Sequence, residues 1–279
     1  MEAKIMAIKT ILLHLTNDKN LEGRIKLALK LAAENDAMIN GLYTIIPAAP
    51  PASFMGYIPP EFIERTRALE VENANAASEK LTDAAAEAGV PVQISKEEGY
   101  ALDILNMHAL SADLLILGQV DPDDEKSAQY RYLADELVVS SARPILTVPY
   151  AGNHTNFGKH ILVGWNNTRE ASIALHNAMP FLKKADKITL LSVNPQTDQS
   201  AENAAIIAHL GRHNIPAQIK VSQWKNVSVG NALLDSLVDL NADMLVMGAY
   251  GHSRIREMIL GGATQEILEQ MTAPILFSH

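Results

Sequence analysis

The chain repeats itself, and that repetition limits its fold more than any other feature does. "KTILLHLTNDKNLEGRIKLALKLAAENDAMINGLYTI" and "KHILVGWNNTREASIALHNAMPFLKKADKITLLSVN" both read as an apolar run, a polar turn, an amphipathic stretch and a second apolar run. Lys9-Thr10-Ile11-Leu12 matches Lys159-His160-Ile161-Leu162, an offset of 150 residues. Further on, "SADLLILG" matches "NADMLVMG" and "ARPILTVPY" matches "TAPILFSH" at an offset of 130, with Asp113 opposite Asp243 and Pro144 opposite Pro274. The difference places extra chain in the first half after its second strand, at "PAAPPASFMGYIPPEF". Proline there removes backbone donors and disfavours helix and central strand, so the segment is expected to be a surface excursion. It leads into an Ala/Glu-rich helix ending at Gly89, whose shorter counterpart is "SAENAAIIAHLGRHN".

Each half alternates strand and helix and closes on a fifth strand. Expected strands are Thr10–Leu15, Met38–Ile45, Val92–Ser95, Leu114–Leu117 and Ile145–Val148, then Ile161–Gly164, Lys187–Val193, Ala217–Val221, Met244–Met247 and Pro274–Ser278. Short Ile/Leu/Val runs separated by helices imply right-handed crossovers into a parallel sheet covered on both faces. The expected fold class is therefore α/β: two tandem doubly wound, mostly parallel five-stranded sheets, residues 1–150 and 159–279, joined by the linker Ala151–Gly158. The closing strands "RPILTV" and "PILFS" are expected to lie at sheet edges and to pair across the two domains, since an uncovered edge invites aggregation. Asn167 with Glu170 has capping-box spacing at the start of a helix whose apolar stripe is Ala171, Ala174, Leu175 and Ala178.

Bulk composition excludes several function classes. A hydrophobic fraction of 48% with only 5% aromatic residues suits helices packed on a sheet. No apolar run approaches the roughly 20 residues of a membrane-spanning helix. The opening "MEAKIMAIKTILLHL" lacks an export-signal pattern, so the expected location is cytoplasmic. With no cysteine there is no disulfide, thiolate nucleophile or cysteine-bound metal, and a net charge of −9 opposes nucleic acid as a partner.

Glycines at Gly248, Gly251, Gly261 and Gly262 follow an apolar run and precede the helix-like "ATQEILEQM". Gly248 and Gly251 are expected to let the turn approach a ligand, and Gly261 and Gly262 to free amides at the helix start. In a doubly wound sheet ligands bind beyond the carboxyl ends of the strands, and a helix N-terminus there is an anion site. The expected ligand carries phosphate.

Gly248-x-x-Gly251, nine residues, then Gly261 and a further small residue is similar to the G-x-x-G-x9-G-(S/T) nucleotide motif of the universal stress protein family. The text around it, "ADMLVMGAYGHSRIREMILGGATQEILEQMTAPILFSH", resembles that family throughout, and the repeat extends the resemblance to a tandem member. The resemblance implies an ATP- or AMP-binding fold. Gly248, Gly251 and Gly261 match the motif; Gly262 replaces its hydroxyl residue, and Thr264 falls in another position that the family uses. The family's aspartate after the first strand aligns with Asn166, and Val193 falls where the family offers backbone to adenine. His252, inside the motif, is a further candidate for phosphate contact. The first half runs "QVDPDDEKSAQYRYLADEL" after Gly118, with carboxylates where phosphate would lie, so its site is expected to be degenerate.

Other constellations carry less. No P-loop lysine motif, H-E-x-x-H or G-x-S-x-G occurs. "DPDDE" reads as a solvated loop, His209 and His213 as a pair without a third ligand, Gly211 as part of a helix end, and Trp165 and Trp224 as packing residues. No catalytic or metal-binding residue is assigned. The leading reading is a non-enzymatic regulatory or stress protein that binds ATP or AMP in its second domain, with Mg²⁺ only alongside ATP. It would be a monomer with an internal pseudo-dimer, or a homodimer. The alternatives are a ligand-free protein-interaction scaffold and a very slow ATPase, the latter opposed by the lack of a metal-holding carboxylate at Asn166.

Overall fold

The computed structural model describes residues 7–47, 60–249 and 262–279. The first half contains β1 (Thr10–Leu15), α1 (Leu21–Asn35), β2 (Met38–Ile45), α2 (Pro60–Ala88), β3 (Val92–Glu98), α3 (Ala101–Ala109), β4 (Leu114–Gly118), α4 (Leu133–Ser140) and β5 (Ile145–Val148). The second contains β6 (His160–Gly164), α5 (Arg169–Asn177), α6 (Met179–Leu182), β7 (Lys187–Val193), α7 (Ser200–Arg212), β8 (Gln218–Ser222), α8 (Val229–Asp239), β9 (Met244–Gly248), α9 (Gly262–Gln270) and β10 (Ile275–Ser278). Every expected strand is present; β3 runs on to Glu98, beyond the expected Ser95.

The sheet order is β3-β2-β1-β4-β5-β10-β9-β6-β7-β8. Within each half the pairs are parallel, and the halves meet where β5 and β10 run antiparallel, Leu146 opposite Leu276. The expected pairing of the closing strands is therefore found. It also merges the two expected sheets into one of ten strands, because two edges that pair cease to be edges. The duplication survives that merger: read outward from the seam, both halves give the same order.

The aligned aspartates show why the repeat is kept in the sequence. Asp113 Oδ2 accepts from the amides of Lys9 at 2.8 Å and Thr10 at 2.9 Å, fixing the start of β1 against the start of β4. Asp243 repeats this at β6 and β9, accepting from the amides of Gly158 at 2.9 Å and His160 at 3.1 Å. The extra chain of the first half lies between β2 and β3, where α2 exceeds α7 in length. Helix α2 ends as Gly89 takes a left-handed φ of 65°.

Side chains alternate across the sheet. Ile11 and Leu13 pack under α1 and α2, while Leu12 and Leu115 pack under α3 and α4. In the second half Ile161 and Val163 face α5 to α7, and Leu162 and Leu245 face α8 and α9. Each such fully buried side chain contributes about 1.5–3 kcal/mol. The outermost strands, β3 and β8, are more polar and carry Lys96, Glu97 and Lys220, which blunts the two remaining edges.

Candidate functional site

At the carboxyl edge of the second half, β9, β6 and β7 end side by side, with Gly164 beside Met247 on one flank and Leu191 on the other. The chain leaving β6 makes a tight turn before α5. Trp165 is buried and its amide donates to Leu191 O at 2.9 Å. Asn167 takes a left-handed φ of 57° and its Oδ1 accepts from Trp165 Nε1 at 2.9 Å. That use of Asn167 overturns the expected capping box: Thr168 is the cap, accepting from the Ala171 amide at 3.3 Å. Asn166 Oδ1 accepts from Thr168 Oγ1 at 2.8 Å, so the group that exposed Asn166 offers outward is its amide donor.

Gly248 has a different cause from the expected one. A Cβ there would stand 2.4 Å from the Glu170 carbonyl carbon and 2.6 Å from the Ala171 amide, so the glycine admits the first turn of α5 rather than a ligand. Gly262 opens α9 and is exposed, with nothing near an added Cβ. Thr264 is only 3% exposed, beneath the first turn of α9, and does not present its hydroxyl at the surface. Val193 is half-buried at the end of β7, opposite Ser222. Gly251, His252 and Gly261 lie outside the described residues.

Several polar groups at this edge carry no distinctive motif in the sequence. Asn194, with φ 49°, accepts through Oδ1 from the Trp224 amide at 2.6 Å, tying the exit of β8 to that of β7. Trp224 Nε1 and Asn167 Nδ2 are enclosed and have no hydrogen-bond partner among the described residues. Ser228 caps α8 and donates through Oγ to Glu266 Oε2 at 2.6 Å. Gly230 lets the two helices close, since a Cβ would meet Glu266 Oε2 at 2.6 Å. Asparagine's tolerance of the left-handed region was the one available signal, because Asn167, Asn194 and Asn226 turn the chain after β6, β7 and β8.

The corresponding edge of the first half is filled by its own side chains. Arg24, 2% exposed, reaches from α1 to Asp18 Oδ2 at 2.9 Å and to the Thr16 hydroxyl. Gly118 makes room for it: a Cβ there would stand 2.1 Å from the guanidinium. Burial pushes the Asp18 carboxyl up, but Arg24 and the hydrogen bonds from Thr16, Arg24 and Asn20 together hold it below its usual value. His14 lies edge-on to Tyr130 with ring centroids 5.0 Å apart. Burial, helped by the Arg24 charge, lowers its pKa to about 3, so it is neutral at pH 7. A cavity of about 20 Å³ remains between His14, Thr16, Asp18 and Tyr130. That suits a water molecule and falls far short of the roughly 300 Å³ of a small-ligand pocket.

The acidic loop differs from the solvated loop expected. Asp124 is 5% exposed and accepts from the Lys19 amide at 3.0 Å, while Ser127 Oγ donates to Asp121 O at 2.8 Å. The loop is thus fastened over the exit of β1. His209 gains a neighbour that its sequence position did not reveal: its ring lies 4.8 Å from His213 and 5.4 Å from His176 of α5. Among the described residues, no group of three or more His, Asp or Glu side chains is arranged to hold a metal.

Residues 158–279 match the universal stress protein family. A universal stress protein of Synechocystis is 25% identical over 192 residues, a match covering 66% of this chain and 64% of that relative's length. A universal stress protein from Archaeoglobus fulgidus superposes with a TM-score of 0.75 at 15% identity, covering 96% of this chain and 95% of its own. A putative universal stress protein from Pseudomonas aeruginosa gives 0.62 at 17% identity, covering 98% and 93%. At such identities these structures establish the fold, which extends over both halves. The match to the universal stress protein family thus lies in the second domain, residues 158–279.

Proposed function

We propose that the chain is a stress-response protein that binds an adenine nucleotide, ATP or AMP, at the carboxyl edge of its second domain. The observation that carries this reading is the position of the Gly248-x-x-Gly251-x9-Gly261 motif. It leaves β9 beside β6, in the half that matches the family, where a doubly wound sheet holds its ligand. Asn166 supplies an outward amide donor for a ribose hydroxyl, and the start of α9 supplies amides for phosphate. Val193, on the next strand, flanks the base. The first domain is a structural partner, since Arg24 and Tyr130 fill its edge. No metal-holding carboxylate stands at Asn166, and amides that hold substrate and product alike do not accelerate chemistry, so the protein binds without turning over. Magnesium enters only with ATP, and the expected setting is the cytoplasm.

Mass analysis of small molecules released on denaturing the purified protein should find an adenine nucleotide. Titration calorimetry with ATP and with AMP should give binding that Gly251→Val abolishes and Asn166→Ala weakens, with unchanged circular dichroism. Equal affinities in all three proteins overturn the site. Phosphate release at about 1 s⁻¹ or faster overturns the non-enzymatic reading. A scaffold role has one observation in its favour: Phe62, Ile63 and Leu69 on the first half of α2 are 47%, 43% and 56% exposed.

A further inference from the structure

At the opposite end of the sheet, α1 and α6 meet across the two domains and leave a cleft of about 120 Å³. Its floor is apolar: Ile8, Leu31 and Phe181 are buried at 5%, 5% and 7% exposure, and Phe157 lies against Phe181 with ring centroids 6.1 Å apart. Its rim is cationic. Lys30 Nζ donates to Asn156 Oδ1 at 2.6 Å, and Lys184 Nζ to Glu34 O at 3.1 Å and Asn35 Oδ1 at 3.0 Å, so Lys184 of the second domain caps the carboxyl end of α1 in the first. Lys159 Nζ and Lys30 Nζ each have one loose carboxylate neighbour, Asp186 Oδ2 and Glu34 Oε1, both at 3.8 Å and beyond hydrogen-bonding distance. Of the ionisable side chains lining the cleft, three are lysines and one, Glu34, is a carboxylate, in a chain whose net charge is −9.

From this pairing of an apolar floor with a cationic rim we infer that the cleft binds a small amphipathic carboxylate, its apolar body no larger than about one ring. Drug-sized ligands occupy about 300–1,000 Å³, so the cleft excludes a nucleotide and selects something smaller. Each lysine ammonium has three donors, and those not committed to Asn156, Glu34 and Asn35 are left to make charge-assisted bonds to a carboxylate at the mouth. The ring would cover Phe181 and Leu31 and remove their remaining exposed edges from water. Because the walls come from α1 of one domain, α6 of the other and the linker between them, the occupant clamps the two domains together. This site is separate from the nucleotide edge, and its test does not depend on nucleotide binding.

Benzoate serves as the probe. In methyl-labelled full-length protein, titration with benzoate at low ionic strength should give saturable shifts at Ile8 and Leu31 and none at Val193 or Met247. Benzyl alcohol, with the same ring and no charge, should bind about tenfold more weakly. Lys30→Gln with Lys159→Gln should weaken benzoate about tenfold, one decade being about 1.4 kcal/mol, and leave benzyl alcohol unchanged. Both side chains are substantially exposed, 40% and 68%, so the variant should keep its fold, which the remaining methyl signals report. Absence of saturable shifts at Ile8 and Leu31, shifts confined to Val193 and Met247, or equal affinity in either control overturns the proposal.

Discussion

In the first half, position 24 is an arginine buried against Gly118; its equivalent in the second half, position 174, is an alanine buried against the sheet. Position 18 is the aspartate that pairs with that arginine, and its equivalent is Thr168, the cap of α5. One backbone frame thus carries two different fillings. Where the first half places an ion pair over the strand ends, the second places a capped helix turn, and no buried arginine stands at that edge among its described residues. A duplicated fold keeps its strand order through apolar runs and the Asp113 and Asp243 clamps, whereas what its edge can hold rests on two or three side chains.

The largest way to break the comparison is Arg24→Ala. It leaves Asp18 with most of its surface buried and no cation beside it, a situation that typically costs about 3–5 kcal/mol. Urea unfolding should show a loss of that size. Giving the first half both residues of the second, Asp18→Thr with Arg24→Ala, removes the unpaired charge together with its partner and should recover at least about 1 kcal/mol relative to the single variant. A double variant no more stable than Arg24→Ala would mean that the two side chains act independently.

Much of this architecture was legible in the sequence because strands buried on both faces must be continuous Ile/Leu/Val runs, and those runs recur at constant offsets. The pairing of β5 with β10 was legible on a different ground, since each closes its half and an uncovered edge invites pairing. The filling of the first edge was less so. The carboxylates of "DPDDE" were visible as charges, but nothing local shows that Asp124 turns inward to the Lys19 amide or that Arg24, one of several cations on α1, is the buried one. Gly248 misled for a related reason. A glycine records that something comes close without saying whether it is a ligand or, as here, the backbone of Glu170 and Ala171.

Acid should separate the halves next. His14, buried behind Arg24, has a pKa of about 3 when folded, whereas an unfolded histidine titrates near 6.5. Between those values the unfolded chain binds a proton that the native state does not, so stability is complete above about pH 6.5 and falls as pH drops toward 3. At pH 5 the loss is about 2 kcal/mol. Asp18, held below its usual value, adds to the loss only once pH falls below the ordinary carboxylate range. The position equivalent to His14 is Gly164, which cannot titrate; buried His160, lowered first by burial and then by Lys187, gives the second half a slope of the same sign. His14→Gln should therefore flatten, without abolishing, the fall in urea stability between pH 7 and pH 5. An unchanged pH profile in that variant would remove His14 as its source.

The smallest contrast lies at the helix starts. Thr168 Oγ1 accepts from the Ala171 amide and completes the N-terminus of α5, whereas Asn20 at the start of α1 makes no side-chain cap bond, its own amide being held by Asp18 Oδ1 at 2.8 Å. Removing a cap that makes its bond costs about 1 kcal/mol, and a surface change that breaks none stays within about 0.5 kcal/mol. Thr168→Ala should thus lower urea stability by about 1 kcal/mol while Asn20→Ala changes it by less than half as much. Thr168 also holds Asn166 Oδ1, so its loss frees the Asn166 side chain and should weaken nucleotide binding at that edge in calorimetry, an effect that Asn20→Ala has no route to produce. Equal stability losses in the two variants would mean that the cap does not distinguish the two helix starts, and the difference between the halves would then reduce to the Arg24 and Asp18 pair.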